Sequence, residues 1–154
     1  MSLLLSQVPT TITYTRKNGT KEVFLRYEEL GHGGLATVFR VKHQSTNKIY
    51  AMKIISKQHL RSKGQFAVDK LKDEIRIQKK LNHPNILRSK LTFSDSLYYY
   101  IVLEYCPGQS IREYLKKSAK GYLSEAETKK ILRDVIHGLI YLHKHKIVHH
   151  DLKL

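Results

Sequence analysis

The stretch LGHGGLATVFRVKHQSTNKIYAMKII, residues 30–55, decides how this chain is organised. A glycine cluster at Gly31–Gly34 is followed by two β-prone runs, which the turn residues Ser45–Lys48 separate. Alternating apolar residues predict a strand around Val38–Val41, and the run Ile49–Ile55, apolar except for Lys53, predicts a largely buried strand. The stretch therefore predicts strands joined by tight turns, with the glycines in the first turn.

The glycine cluster fits two phosphate-binding patterns. The spacing G-x-G-x-x-A at Gly31, Gly33 and Ala36 matches a dinucleotide fingerprint and also a glycine-rich hairpin that covers nucleotide phosphates. A dinucleotide site needs a helix directly afterwards and an acidic residue about 20 positions on. Here Thr37–Val41 alternates as a strand, and Ile54–Gln58 contains no acid. We therefore favour a hairpin whose backbone N–H groups close over phosphates; a tight hairpin without a ligand is the plainer alternative.

A lysine in the most apolar strand and a glutamate on the next helix form a candidate pair. Lys53 could simply extend its side chain to solvent from an edge position. The helix predicted over roughly Phe66 to Leu81 offers it a partner, because Glu74 adjoins Leu71 and so faces partly inward. A carboxylate that faces a core needs a counter-charge. We predict a Lys53–Glu74 ion pair beneath the glycine hairpin, with Asp73 as the alternative partner.

Turn residues and hydrophobic periodicity predict the elements on either side. Asn18-Gly19 lies between two β-prone runs in residues 10–25, and this pattern is typical of a hairpin because both residues tolerate positive φ. Ser124 and Glu127 match the S-x-x-E capping box that begins a helix. The other predicted elements are strands near Leu87–Phe93 and Tyr98–Leu103, and helices over Ser110–Lys117 and Glu125–His143.

Residues after the long helix offer chemistry of a second kind. Asp151 beside Lys153 suits a general base with a phosphate-stabilising cation. A metal site is the competing interpretation, because five of the nine histidines fall between His137 and His150. His143 and His145 lie amid Lys144 and Lys146, whose charges disfavour a divalent cation, and neither a cysteine nor an acidic cluster joins them. We therefore expect no metal site and interpret most of these histidines as surface residues.

Composition limits the class of protein. The chain has 154 residues, 28 Lys and Arg against 13 Asp and Glu, and a net charge of +15, which favours binding to anions. A single cysteine, Cys106, excludes an internal disulfide and fits a reducing compartment. Residues 1–6 lack the basic start of a signal peptide, and no apolar run is long enough for a membrane helix. We expect an intracellular protein with no membrane partner. Its lysines are spread over every element, so we rank a nucleic-acid binder last and expect no nucleic-acid partner.

The ordered set of motifs resembles a eukaryotic protein kinase over about residues 25–154. The motifs are the glycine loop, Ala51-Met-Lys53, the helix glutamate, Leu81-Asn-His-Pro-Asn-Ile86, Val102-Leu-Glu-Tyr105 and His149-His-Asp-Leu-Lys153. The resemblance implies an α+β, protein-kinase-like fold: a five-stranded antiparallel N-lobe with one helix, plus the first helices of an incomplete helical C-lobe. It implies an extension with a hairpin over residues 1–24, an N-lobe over 25–104, and a hinge with a truncated C-lobe over 105–154.

The resemblance also implies a role for each matched residue. Leu103 would be the gatekeeper beside the adenine, and Asp151 would be the catalytic base, with Lys53 and Lys153 as the cations that act in phosphoryl transfer. The residues that would bind ATP are Leu30, Gly31, Gly33, Gly34, Ala36, Val38, Ala51, Lys53, Glu74, Leu103, Glu104 and Cys106. No metal ligand is assigned, because the ligands of the Mg²⁺ that accompanies ATP are expected beyond Leu154.

Within kinases the chain resembles the polo-like serine/threonine family. Gly31-His-Gly-Gly-Leu-Ala36 is similar to that family's Gly-Lys-Gly-Gly-Phe-Ala, and the segments Lys53–Lys57 and Asp151–Leu154 also look similar. Val38 departs from the family, which often has cysteine there, so the Aurora and calcium/calmodulin-type groups stay open. A polo-like kinase is expected to act in cell division, in the cytoplasm, the nucleus or at the spindle or centrosome, on Ser/Thr near acidic residues.

Two further departures from the kinase pattern lead to expectations of their own. His150 stands where the catalytic motif usually has arginine, so we expect reduced dependence on activation-loop phosphorylation. The Mg²⁺ ligands would follow Leu154, so we expect a truncated, inactive chain; a non-catalytic nucleotide-binding or interaction module ending naturally there is the alternative. The residues expected to be exposed on the long helix, and to promote self-association, are Ile131, Val135, Leu139 and Leu142.

Overall fold

A computed structural model describes residues 8–108 and 110–153, which form two compact units. The first unit combines the chain up to Leu81 with Arg88–Tyr105, and the second combines Asn82–Leu87 with the chain from Cys106 onward. Two expectations concern residues outside this range: the absence of a leader rests on residues 1–6, and the terminal motif ends at Leu154.

The first unit is an antiparallel sheet with two helices. Its strands lie in the order β1-β2-β3-β4-β6-β5. The helices follow β4 directly in the chain. The bounds are β1 Thr11–Thr15, β2 Lys21–His32, β3 Ala36–His43, β4 Ile49–Ser56, α1 Lys57–Ser62, α2 Gln65–Lys80, β5 Ser89–Ser94 and β6 Tyr98–Glu104.

The α+β kinase-like class is confirmed, with one strand and one helix more than expected. The hairpin at Asn18-Gly19 forms, with Gly19 at φ 82°, and its first strand pairs with β2, so the sheet has six strands instead of five. The extra helix, α1, is capped by Ser56, whose side chain accepts a hydrogen bond from the His59 amide. Six residues are too few to show a helical period, which is why the sequence pattern missed α1.

The two faces of the sheet are covered differently. One face holds the larger core, in which Val41, Met52, Tyr100 and Val102 are at most 1% exposed. The other face packs against α1 and α2 through a smaller cluster, made by Ile55, Leu60, Leu71 and Ile101. Side chains alternate along β4, so Lys53 lies on the same face as Ile55 and hence on the helix side.

The sheet curls until its two edge strands meet. Tyr14 of β1 stacks on Phe93 of β5, with ring centroids 4.7 Å apart, and Phe93 stacks in turn on Tyr100. Ile12 of β1 is 3% exposed and belongs to the larger core. The first strand is therefore part of the sheet's core packing.

The second unit contains α3 (Ile111–Lys117) and α4 (Glu125–Lys144). Both helices begin with a complete capping box, Ser110 with Glu113 and Ser124 with Glu127, and the second box confirms the predicted start of the long helix. Among the described residues, no helix is both long and apolar enough to cross a membrane.

The prediction that four apolar residues of α4 are exposed was partly wrong. Leu142 is buried, Ile131 and Leu139 are half-buried, and only Val135 of the expected four is exposed. The reason lies one turn before Leu142: a Cβ at Gly138 would be 3.2 Å from the Asn85 carbonyl oxygen, so this edge of the helix packs against the 82–87 segment. The large apolar side chains that α4 exposes are instead Leu132, Val135, Ile136 and Ile140.

Candidate functional site

The glycine cluster forms the turn between β2 and β3. Gly33 N–H donates to the Ala36 carbonyl at 2.8 Å, and Gly31 pairs with Val38 across the hairpin. Neither Gly31, Gly33 nor Gly34 has a positive φ, and a Cβ at any of them would meet nothing within 4 Å. The turn itself therefore does not require glycine here. The missing side chains leave room for another molecule to approach the backbone N–H groups.

A cavity of about 840 Å³ lies between this hairpin and the two helices of the first unit. We call it the glycine-loop cavity. Its walls combine the hairpin, the strand residues Lys53 and Ile55, and the helix residues Leu60, Leu71 and Glu74. Its volume lies in the range of small-molecule sites. The cavity is thus large enough for a nucleotide's phosphates, with the ammonium groups of Lys53 and Lys70 in its wall.

Lys53 and Glu74 form the ion pair that the sequence predicted. The Lys53 Nζ lies 2.6 Å from Glu74 Oε1, and the alternative partner Asp73 instead pairs with Arg76 at 2.8 Å. Glu74 does not face the core as expected, because its side chain is 51% exposed and lies at the cavity rim. An exposed ion pair stabilises a fold by only about 0.2–1 kcal/mol. The pair therefore serves mainly to hold the ammonium group in place.

A histidine that the sequence analysis did not identify also contacts the hairpin. His59 Nε2 donates to the Gly34 carbonyl oxygen at 3.0 Å, which joins α1 to the glycine turn. The only sequence signal for it is Ser56, the residue that caps this short helix. His59 is thus a positioning residue for the hairpin.

The residues expected around the adenine lie on adjacent strands. Val38 is opposite Lys53, and Ala51 is opposite Leu103, so these four positions form a patch across β3, β4 and β6. Leu30, on β2, is 42% exposed.

Glu104 and Cys106, the expected hinge residues, differ in their surroundings. Glu104 N–H donates to the Arg88 carbonyl at 3.0 Å, and its carboxylate accepts from Arg88 N–H at 2.8 Å. The backbone group of Glu104 left for a ligand is therefore its carbonyl, which would accept a hydrogen bond. Cys106 is exposed and belongs to the second unit.

Asp151 and Lys153 pair with each other in the second unit. Lys153 Nζ donates to Asp151 Oδ2 at 2.9 Å, and both side chains are about 70% exposed. The hydrogen bond and charge of Lys153 hold the pKa of Asp151 below its ordinary value, so the carboxylate stays ionised at neutral pH. His150 adopts φ 58°, the left-handed region. Residues 8–108 and 110–153 contain no group of three or more metal-ligating side chains.

Most of this chain matches known proteins. Residues 24–154 match the protein kinase domain. Serine/threonine-protein kinase PLK4 of Aedes aegypti is 35% identical over 128 residues, which cover 83% of this chain and 16% of that protein. PLK4 of Nematostella vectensis is 37% identical over 133 residues, 86% of this chain and 13% of that protein. A probable serine/threonine-protein kinase PLK of Dictyostelium discoideum is 37% identical over 151 residues, 96% of this chain and 15% of that protein. The chain thus spans less than a fifth of these relatives.

Proposed function

The chain belongs to the protein kinase family and to its polo-like branch, and we propose that it forms the ATP-binding part of a serine/threonine kinase. The reaction would transfer the γ-phosphoryl group of ATP to hydroxyl groups of protein substrates. The observation that carries the proposal is the Lys53–Glu74 pair at 2.6 Å beside the glycine hairpin, in a cavity of about 840 Å³.

The residues of the cavity fit a triphosphate. The open space at Gly31, Gly33 and Gly34 allows phosphate oxygens to approach the backbone of the hairpin, and the ammonium of Lys53 provides a cation for the α- and β-phosphates. Ala36 ends the hairpin. Leu30, Val38, Ala51 and Leu103 would contact the adenine, and Glu104 and Cys106 would supply backbone hydrogen bonds.

Asp151 and Lys153 would act on the hydroxyl substrate. An ionised Asp151 accepts the hydroxyl proton and orients the oxygen toward the γ-phosphorus, while Lys153 stabilises negative charge. Mg²⁺, when bound with ATP, neutralises the phosphate charge, and its expected ligands lie outside residues 1–154. We therefore propose that a polypeptide of these residues alone binds nucleotide without transferring phosphoryl groups. The alternative, a non-catalytic nucleotide-binding module, makes the same prediction for this polypeptide.

The proposal extends to domains and partners. Residues 1–24 would be an extension with a hairpin, 25–104 the N-lobe, and 105–154 the hinge and first part of the C-lobe. The net charge of +15 favours acidic protein substrates. The exposed residues Leu132, Ile136 and Ile140 of α4 would favour self-association of this polypeptide. A place inside the cell, in the cytoplasm or nucleus, follows from the polo-like relationship.

Binding of a fluorescent ATP analogue to the 154-residue chain tests the nucleotide site. Lys53→Met should raise the Kd about tenfold or more, since a charged hydrogen bond contributes about 1.5–3 kcal/mol. Lys42→Met is the matched control, because Lys42 lies on the adjacent β3 and is not among the residues that form the cavity wall. Equal affinities of the wild type and both variants would refute the nucleotide site.

A further inference from the structure

The curled sheet has a second cavity, of about 350 Å³, beside its larger core. Three segments meet there: the β1–β2 hairpin, the β3–β4 turn and β5. Four cationic side chains from these segments contribute to its wall: Arg16, Lys21, Lys48 and Lys90. We call it the basic cavity. It shares no residue with the glycine-loop cavity.

The charge of the basic cavity is not balanced from within. Its only carboxylate, Glu22, accepts hydrogen bonds from Arg16 Nε and from His43 Nε2, the latter at 2.6 Å. Burial opposes ionisation of Glu22, but the hydrogen bonds and charges of Arg16 and His43 outweigh it and keep its pKa below the ordinary value. Glu22 is therefore ionised and already satisfied at neutral pH.

The three lysines of the cavity remain unpaired. Within residues 8–108 and 110–153, the side chains of Lys21, Lys48 and Lys90 form neither an ion pair nor a hydrogen bond, although they surround one small cavity. Like charges gathered around one cavity repel one another. An anion in the cavity would relieve this repulsion.

The remaining walls restrict what that anion can be. Phe24, Tyr50 and Leu91 form an apolar part of the wall beside the cationic rim. A volume of about 350 Å³ admits one side chain and not an extended chain. A single carboxylate would neutralise one lysine, whereas a phosphate monoester carries about −1.5 to −2 charges and three acceptor oxygens. A phosphorylated side chain therefore fits both the charge and the size.

We propose that the basic cavity binds one phosphorylated side chain of a protein segment. The phosphate lies against Lys21, Lys48 and Lys90, and the carbon skeleton lies against the apolar wall. The site does not depend on the proposed ATP site, because the two cavities have no residue in common.

Fluorescence anisotropy on the 154-residue chain tests this assignment. The probes are labelled peptides with one phosphotyrosine or one phosphoserine, together with the unphosphorylated peptide, and inorganic phosphate is a competitor. The double variant Lys48→Ala, Lys90→Ala should weaken phosphopeptide binding about tenfold or more. The control Lys63→Ala, Lys80→Ala removes the same charge from exposed positions on the helix side and should leave binding unchanged.

Four results would overturn the assignment. The first is equal binding of the phosphorylated and unphosphorylated peptides, and the second is an equal loss of affinity in the two double variants. The third is displacement of the peptide by inorganic phosphate at an equal concentration, which would make the free anion the ligand. The fourth is displacement of the peptide by saturating ATP, which would place the peptide in the glycine-loop cavity. A phosphate-dependent affinity that only Lys48→Ala, Lys90→Ala reduces would support it.

Discussion

Replacement of Asp95 should destabilise the first unit by about 2–4 kcal/mol. Asp95 Oδ1 accepts from the amides of Leu97 and Tyr98, both at 2.7 Å, and Oδ2 accepts from the Tyr100 hydroxyl at 2.6 Å. Tyr100 is 1% exposed, so Asp95→Ala leaves a buried hydroxyl without an acceptor, which costs about 1–3 kcal/mol. The two lost turn hydrogen bonds add about 1 kcal/mol, because water replaces them at this exposed turn.

A double-mutant cycle separates these contributions. The free energy of unfolding is measured by urea denaturation followed by circular dichroism. In a Tyr100→Phe background the orphaned hydroxyl is absent, so Asp95→Ala should cost only about 1 kcal/mol. Asp69→Ala is the control, because Asp69 contacts only exposed partners on α2. A loss below about 1 kcal/mol for Asp95→Ala, or an equal loss in both backgrounds, would refute the reasoning.

The same carboxylate has a defined pH dependence. Burial raises the pKa of Asp95, but hydrogen bonds from Tyr100 and from the Tyr98 and Leu97 amides outweigh this and lower it from the ordinary 3.8. A lowered folded pKa contributes stability above pH 3.8 that is lost as the pH falls through the folded value. The stability difference between wild type and Asp95→Asn should therefore shrink on acidification below that pH.

Three other substitutions probe the remaining features. Glu22→Gln should lower the free energy of unfolding by about 1–3 kcal/mol at pH 7 and by much less at about pH 3. The reason is that the pKa of Glu22 is lowered in the folded protein, so that only the ionised carboxylate stabilises the fold. Equal losses at both pH values, measured by urea denaturation, would contradict this. His59→Ala should raise the Kd of an ATP analogue about threefold to tenfold by releasing Gly34, while Gln58→Ala should not; equal Kd values would exclude the positioning role. Gly138→Val should lower the melting temperature and reduce the free energy of unfolding by about 1–3 kcal/mol, since its Cβ would lie 3.2 Å from a backbone carbonyl oxygen. An unchanged melting temperature would show that the 82–87 segment moves to make room for the side chain.

Local signals made much of this structure predictable. Asn18-Gly19 specifies its hairpin through backbone conformation, and the Ser124–Glu127 box specifies a helix start through its own hydrogen bonds. The Lys53–Glu74 pair was predicted from the apolar strand and from a Glu74 expected to face inward; the pair forms, but Glu74 lies at the cavity rim. In each case the decisive contacts lie within a few residues, or the chemistry allows few partners.

The remaining features depend on tertiary contacts that no local pattern contains. The packing of β1 into the larger core includes the stacking of Tyr14 on Phe93, residues far apart in the chain. The buried edge of α4 depends on where Asn85 meets Gly138. The basic cavity joins lysines from three separate segments, so the sequence shows them only as scattered charges.

The first strand, β1, lies outside the protein kinase domain match but inside the folded sheet. The family match begins at residue 24, inside β2, whereas Val8 and Ile12 lie in the larger core at 5% and 3% exposure. An expression clone trimmed to the family boundary would lose both residues and all of β1. A start at the family boundary would therefore uncover the part of the larger core that Val8 and Ile12 now cover, whereas a start before Val8 keeps it covered.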